Sequence, residues 1–67
     1  MQTYTRRWTF LNGRTLEETK FYVNDDTAIR GTAQAMAKAD VGEVAVLMRD
    51  GREVARIQAG AGKALSA

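Results

Sequence analysis

The chain has 67 residues, with ten Lys and Arg against eight Asp and Glu, and neither Cys nor His. A chain of this length makes one domain with a thin core, because it buries only about 60% of the surface that its unfolded form exposes. Disulfides and ordinary zinc or iron centres are excluded as staples, which leaves self-association or docking on a partner as the available support.

A net charge of +2 is too small to demand nucleic acid as a partner. The charge is uneven, with basic strand segments and an acidic middle. The longest apolar runs reach about five residues, against the ~20 of a membrane helix, and no charged-then-apolar leader opens the chain. A soluble, cytoplasmic protein without a membrane role is expected. The lack of thiols fits a reducing compartment.

Residues 3–11 are rich in Thr, Tyr, Trp and Phe, which suit a pleated surface, and Asn12-Gly13 follows as a hairpin signal. Residues 16–23 read as the returning strand. Asn24-Asp25-Asp26-Thr27 is a cluster of helix-capping types, with carboxylates where the helix dipole favours them. A helix is predicted over 27–39, placing Ile29, Ala33, Met36 and Ala37 inward and Arg30, Gln34 and Lys38 outward. Gly31 costs that helix about 1 kcal/mol relative to Ala. The alanines at 28, 33, 35, 37 and 39 imply close approach to a sheet. Gly42 suits the left-handed position after a helix.

Residues 44–49 and 52–57, joined by Asp50-Gly51, read as a second tight hairpin, since Asp-Gly tolerates the positive φ of a two-residue turn. Residues 59–67 are small and unpatterned and read as a flexible tail. The expected fold is α+β: a single ββαββ domain over residues 1–58, with one helix on one face of a four-stranded, largely antiparallel sheet.

Two-residue turns at both corners would set Val46 opposite Ala55 and Val44 opposite Ile57, and would group Tyr4, Trp8 and Phe10 with Phe21 and Val23 under the helix. The uncovered face would then hold Arg7, Arg14, Lys20, Tyr22, Leu47, Arg49, Arg52, Val54 and Arg56 as candidate partner-binding residues. Six of the ten bases fall in that set, with Glu18 as the acid on the same face. Apolar side chains ringed by Arg and Tyr suit a contact surface, although any solvated sheet face also carries charge. A three-residue turn with a bulge at Asn12-Gly13 would invert the first hairpin.

No catalytic residue stands out. The chain offers no Cys or His and a single Ser at position 66, so nucleophilic catalysis lacks its parts. Glu17 and Glu18 point to opposite faces of a strand, and Asp25-Asp26 reads as a cap rather than a metal or acid–base pair. Gly60-Ala61-Gly62-Lys63 lacks the leading glycine and the following hydroxyl of a phosphate loop. Neither a cofactor nor a metal is expected. Trp8, Tyr4 and Phe10 beside Arg6 and Arg7 have the composition of a base-stacking platform but also that of a buried strand.

Residues 4–23, the capped helix from Asp26 and residues 42–52 give the chain a pattern that resembles small phage-encoded anti-CRISPR proteins built as two hairpins around one helix. The resemblance implies an inhibitor that docks on a protein or ribonucleoprotein complex, such as a CRISPR effector. Arg side chains would then meet an acidic or carbonyl-rich surface. Two other readings stay open: a weak, sequence-independent nucleic-acid binder on the same face, and a structural or regulatory homodimer joined at strand edges or on the open face.

Overall fold

The computed structural model describes residues 1–60. The order is β1 (Gln2–Thr9), β2 (Thr15–Tyr22), α1 (Asp25–Met36), β3 (Val44–Arg49) and β4 (Arg52–Gln58). All neighbouring strands run antiparallel in one open sheet of order β2-β1-β3-β4. The ββαββ architecture is as the sequence predicts. The sequence did not fix the strand order, which places β1 and β3 in the centre. β2 and β3 are each antiparallel to β1, so α1 links two parallel strands with another strand between them.

Asn24 caps α1: its Oδ1 accepts from the Thr27 N–H at 2.8 Å, and Asp25 and Asp26 occupy the first turn. The helix begins two residues before the predicted start and ends three residues short of the predicted end. It buries Ala28, Thr32 and Met36, with Ile29 packed beside them, while Ala33 and Ala37 lie exposed. Gly31 has a packing reason: a Cβ there would lie 2.8 Å from Cε1 of Tyr22, so the bare backbone lets helix and ring meet. A turn closed by the Glu43 N–H on the Asp40 carbonyl (3.1 Å) leads into β3, with Gly42 at φ +102°.

The two corners differ from a pair of two-residue turns. In the first, the Phe10 N–H donates to the Arg14 carbonyl at 2.8 Å and the Gly13 N–H to the Phe10 carbonyl at 3.0 Å. Leu11, Asn12 and Gly13 therefore form a three-residue loop, with Gly13 at φ +87°. Tyr4 then pairs with Lys20 rather than Phe21, and Trp8 with Leu16. In the second, Asp50 (φ 53°) and Gly51 (φ 75°) make the predicted two-residue turn, and Arg49 faces Arg52. A bulge follows at once: Met48 faces Glu53 but Leu47 faces Ala55, so Val54 is the extra residue.

Each slip turns one strand over. On the helix side lie Tyr4, Ala28 and Leu47, all fully buried, with Tyr22, Ile29, Val54 and Ala55 around them. A second cluster joins Met36, Ala45 and Ala59 to Trp8, Ala39 and Ile57. The expectation that Val44, Val46, Phe21 and Val23 face the helix is corrected: β3 presents Ala45 and Leu47 instead, and β2 presents Tyr22. Ala59 also departs from the expected tail, since it is buried and its N–H donates to the Glu43 carbonyl at 2.8 Å. The rest of that tail, 61–67, lies outside the described residues.

Candidate protein-contact face

The nine sequence-selected residues do not share a face. Leu47 is fully buried beneath the helix, and Tyr22 and Val54 pack on the same cluster. The Tyr22 ring stands edge-on to Tyr4 with centroids 5.8 Å apart. Lys20 lies on the helix side, 3.6 Å from Glu18. Arg49 reaches Asp25 of the helix, and Arg52 faces Arg49 across the hairpin and lines the same hollow as Asp25. Arg14 is exposed beside the first loop. Of the nine, Arg7 and Arg56 remain on the bare side, so a basic open face is not what the register builds. The physical reason is the pair of one-residue slips described above.

The bare face is instead built by alternate residues of each strand. β1 contributes Thr3, Thr5, Arg7 and Thr9, and β3 contributes Val44, Val46 and Met48. By the same pairing, β2 adds Glu17, Thr19 and Phe21. On the two central strands β-branched and apolar residues surround Arg7, which lies opposite Val46, and Phe21 is 61% exposed at the border of the face. Its charges are already matched: Arg7 bridges Glu17 at 2.7 Å, and Arg56 bridges Glu53 at 2.9 Å. The face is close to electrically neutral. In the sequence, Thr-x-Thr-x-Arg-x-Thr over residues 3–9 is the period-two signal that marks this face.

The helix side concentrates the polar interactions. Buried Arg6 bridges Glu18 at 3.1 Å and lies 5.9 Å from the Trp8 ring centroid, while the Trp8 indole N–H donates to Glu43 at 2.7 Å. These contacts commit Trp8 to the interior, and Phe10 stacks on it. The paired carboxylates divide as their strand positions require, Glu17 to Arg7 and Glu18 to Arg6.

At the helix start the Tyr4 hydroxyl donates to Asp25 at 2.5 Å. Arg49 closes this group, its Nε 3.2 Å from Asp25 Oδ1 but not aligned to donate, so that nitrogen is left buried without a hydrogen bond. Burial raises the Tyr4 pKa above the usual phenol value, and the Asp25 carboxylate adds to the rise. This holds the phenol neutral and donating. Among the described residues, no group of three His, Cys, Asp or Glu could hold a metal ion, and no helix is long and apolar enough to cross a membrane.

No family model matches the chain, and neither the curated proteins nor the solved structures give a match.

Proposed function

We propose that the chain is a non-enzymatic binding module that docks on a protein surface through the bare face of its sheet, in the cytoplasm. What supports this reading is one observation: the face opposite the helix carries the β-branched and apolar residues Thr5, Val44, Val46 and Met48, and the arginines that flank Val46, Arg7 and Arg56, are already paired with Glu17 and Glu53. Such a face gains by desolvation and does not strand a charge when covered. The specific role is the one the resemblance implies, an inhibitor that caps a contact site on a protein or ribonucleoprotein complex of the CRISPR effector type.

Docking replaces the arginine-led contact that the sequence suggests. Six of the described bases, Arg6, Arg7, Lys20, Arg30, Arg49 and Arg56, sit in ion pairs with acids of the same chain. A nucleic-acid reading has less to stand on, since phosphate tracking needs a run of cations free to release counterions.

Capture from a bacterial lysate with the full chain as bait tests docking. Wild type and Arg30→Glu, on the outer side of the helix, should retain the same stoichiometric protein partner, and Val46→Glu should lose it while keeping its circular dichroism. A partner held equally by Val46→Glu overturns the use of this face. Retention of nucleic acid alone, falling steeply with salt, overturns protein docking. The inhibitor role has its own measurement: added protein should protect target DNA from cleavage by a CRISPR effector, and undiminished cleavage across all effector types removes that role.

A further inference from the structure

One edge of the sheet is left open in a way that the other is not. β4 carries the Val54 bulge, and the chain beyond it is tied back by the Ala59 N–H on Glu43. Bulges of this kind protect an edge from pairing with another chain. β2 has no bulge: it pairs with β1 in unbroken register over all eight of its residues. Leu16 (47% exposed), Phe21 and, just past the strand, Val23 (63%) place bulky apolar surface along it.

The main-chain bonding fixes which groups are free. The Phe10 N–H donates to Arg14, so pairs with even-numbered β2 residues, such as Arg6 with Glu18 and Tyr4 with Lys20, are those that exchange main-chain bonds with β1. The alternation of an antiparallel ladder then turns the N–H and C=O of Thr15, Glu17, Thr19 and Phe21 outward. These groups lie on an open edge with no further strand beyond them among the described residues.

We infer that β2 pairs antiparallel with β2 of a second copy of this chain, about a twofold axis at Thr19. A twofold axis perpendicular to the sheet sets one residue of the strand opposite itself. Placing Glu17, Glu18 or Lys20 there stacks like charges, which is destabilising. Placing Phe21 there shortens the overlap and sets Lys20 against Tyr22. With Thr19 on the axis, Glu18 faces the second copy's Lys20 and Lys20 faces its Glu18, while Leu16 meets Tyr22. Thr19 exchanges main-chain bonds with its symmetry mate, and Glu17 does so with Phe21. The outward groups of Glu17, Thr19 and Phe21 are satisfied in the register in which charges of opposite sign meet. Both helices then lie on one side, and the two bare faces join into one continuous surface. This pairing is independent of what docks on that surface.

Sedimentation equilibrium of the full chain up to high micromolar concentration should give a species of twice 7.4 kDa. Lys20→Glu, which places Glu opposite Glu twice, should weaken dimerisation about tenfold or more. The chain has no cysteine among its residues, so Thr19→Cys introduces a unique thiol. Facing Cα atoms in a bonded antiparallel pair lie roughly 5.5 Å apart, within disulfide reach. Thr19→Cys should therefore form a covalent dimer under mild oxidation, while Thr15→Cys, roughly 25 Å from its mate in this register, should stay monomeric over the same period. A monomer at high micromolar concentration overturns the inference. So does equal crosslinking at 15 and 19, or a folded Lys20→Glu variant that dimerises as wild type does.

Discussion

The two faces of the sheet are written into alternate residues of the same strands, and adjacent positions differ sharply in what they hold. Leu47 is fully buried under α1, whereas its neighbour Val46 lies half-exposed on the bare face. In β1 the Arg6 side chain is 7% exposed and its neighbour Arg7 57% exposed, yet each bridges a glutamate. Residue type therefore does not assign a side chain to a face. Register does, and the energetic weight of otherwise similar residues follows from it.

Substitutions at these neighbours measure the contrast. Leu47→Ala removes a fully buried side chain and should cost about 3 kcal/mol, while Val46→Ala should cost under about 1 kcal/mol. Urea midpoints of the two variants check this, and equal losses would mean the faces are not distinct. Arg6→Ala leaves Glu18 with Lys20 alone and empties the space beside Trp8, at about 2 kcal/mol, while Arg7→Ala in an exposed pair should fall below about 0.5 kcal/mol.

Gly31→Ala sharpens the contrast from the helix. Helix propensity favours alanine by about 1 kcal/mol, but the new methyl meets the Tyr22 ring, and overpacking of this kind costs about 1–3 kcal/mol. A net loss near 1 kcal/mol is expected. In a Tyr22→Ala background the same change should become stabilising, and thermal melts of the four variants close the cycle.

A last effect, from Tyr4, shows as a pH dependence in alkali and not at neutral pH. Its folded-state pKa is raised by burial and by Asp25, so the stability it contributes is fully present below the unfolded phenol value near 10 and is lost as pH climbs through the higher folded value. Wild type should weaken in alkali above about pH 10, and Tyr4→Phe should flatten that dependence. An unchanged alkaline slope in Tyr4→Phe would remove Tyr4 as its source.

Much of the fold was legible. Threonines and aromatics before Asn12-Gly13, the Asn24 cap and the Asp50-Gly51 turn carry local chemistry that fixes element type, and the ββαββ order follows. Faces were legible for β1 and for Ala55 and Ile57 of β4, and were inverted for β2 and β3. Asn-Gly suits both a two-residue turn and the end of a three-residue loop, and what separates them is that Phe10 bonds to Arg14 and Gly13 rather than Leu11 pairing with Arg14. Nothing local to Val54 announces a bulge. The candidate site suffered most, because a contact face is a statement about parity, and one residue of slip exchanges Lys20 and Tyr22 for Thr19 and Phe21 in β2, and Leu47 and Arg49 for Val46 and Met48 in β3.

The Val54 bulge also has a use at the bench. The tip from Met48 to Glu53 keeps its own phase, set by Asp50-Gly51, while the body of the hairpin from Leu47 and Ala55 onward is phased separately. A peptide grafted between Asp50 and Gly51 would disturb the pairing of the tip and stop at the re-phasing point. The protein should accept an epitope or a fluorescent reporter there without losing its interior.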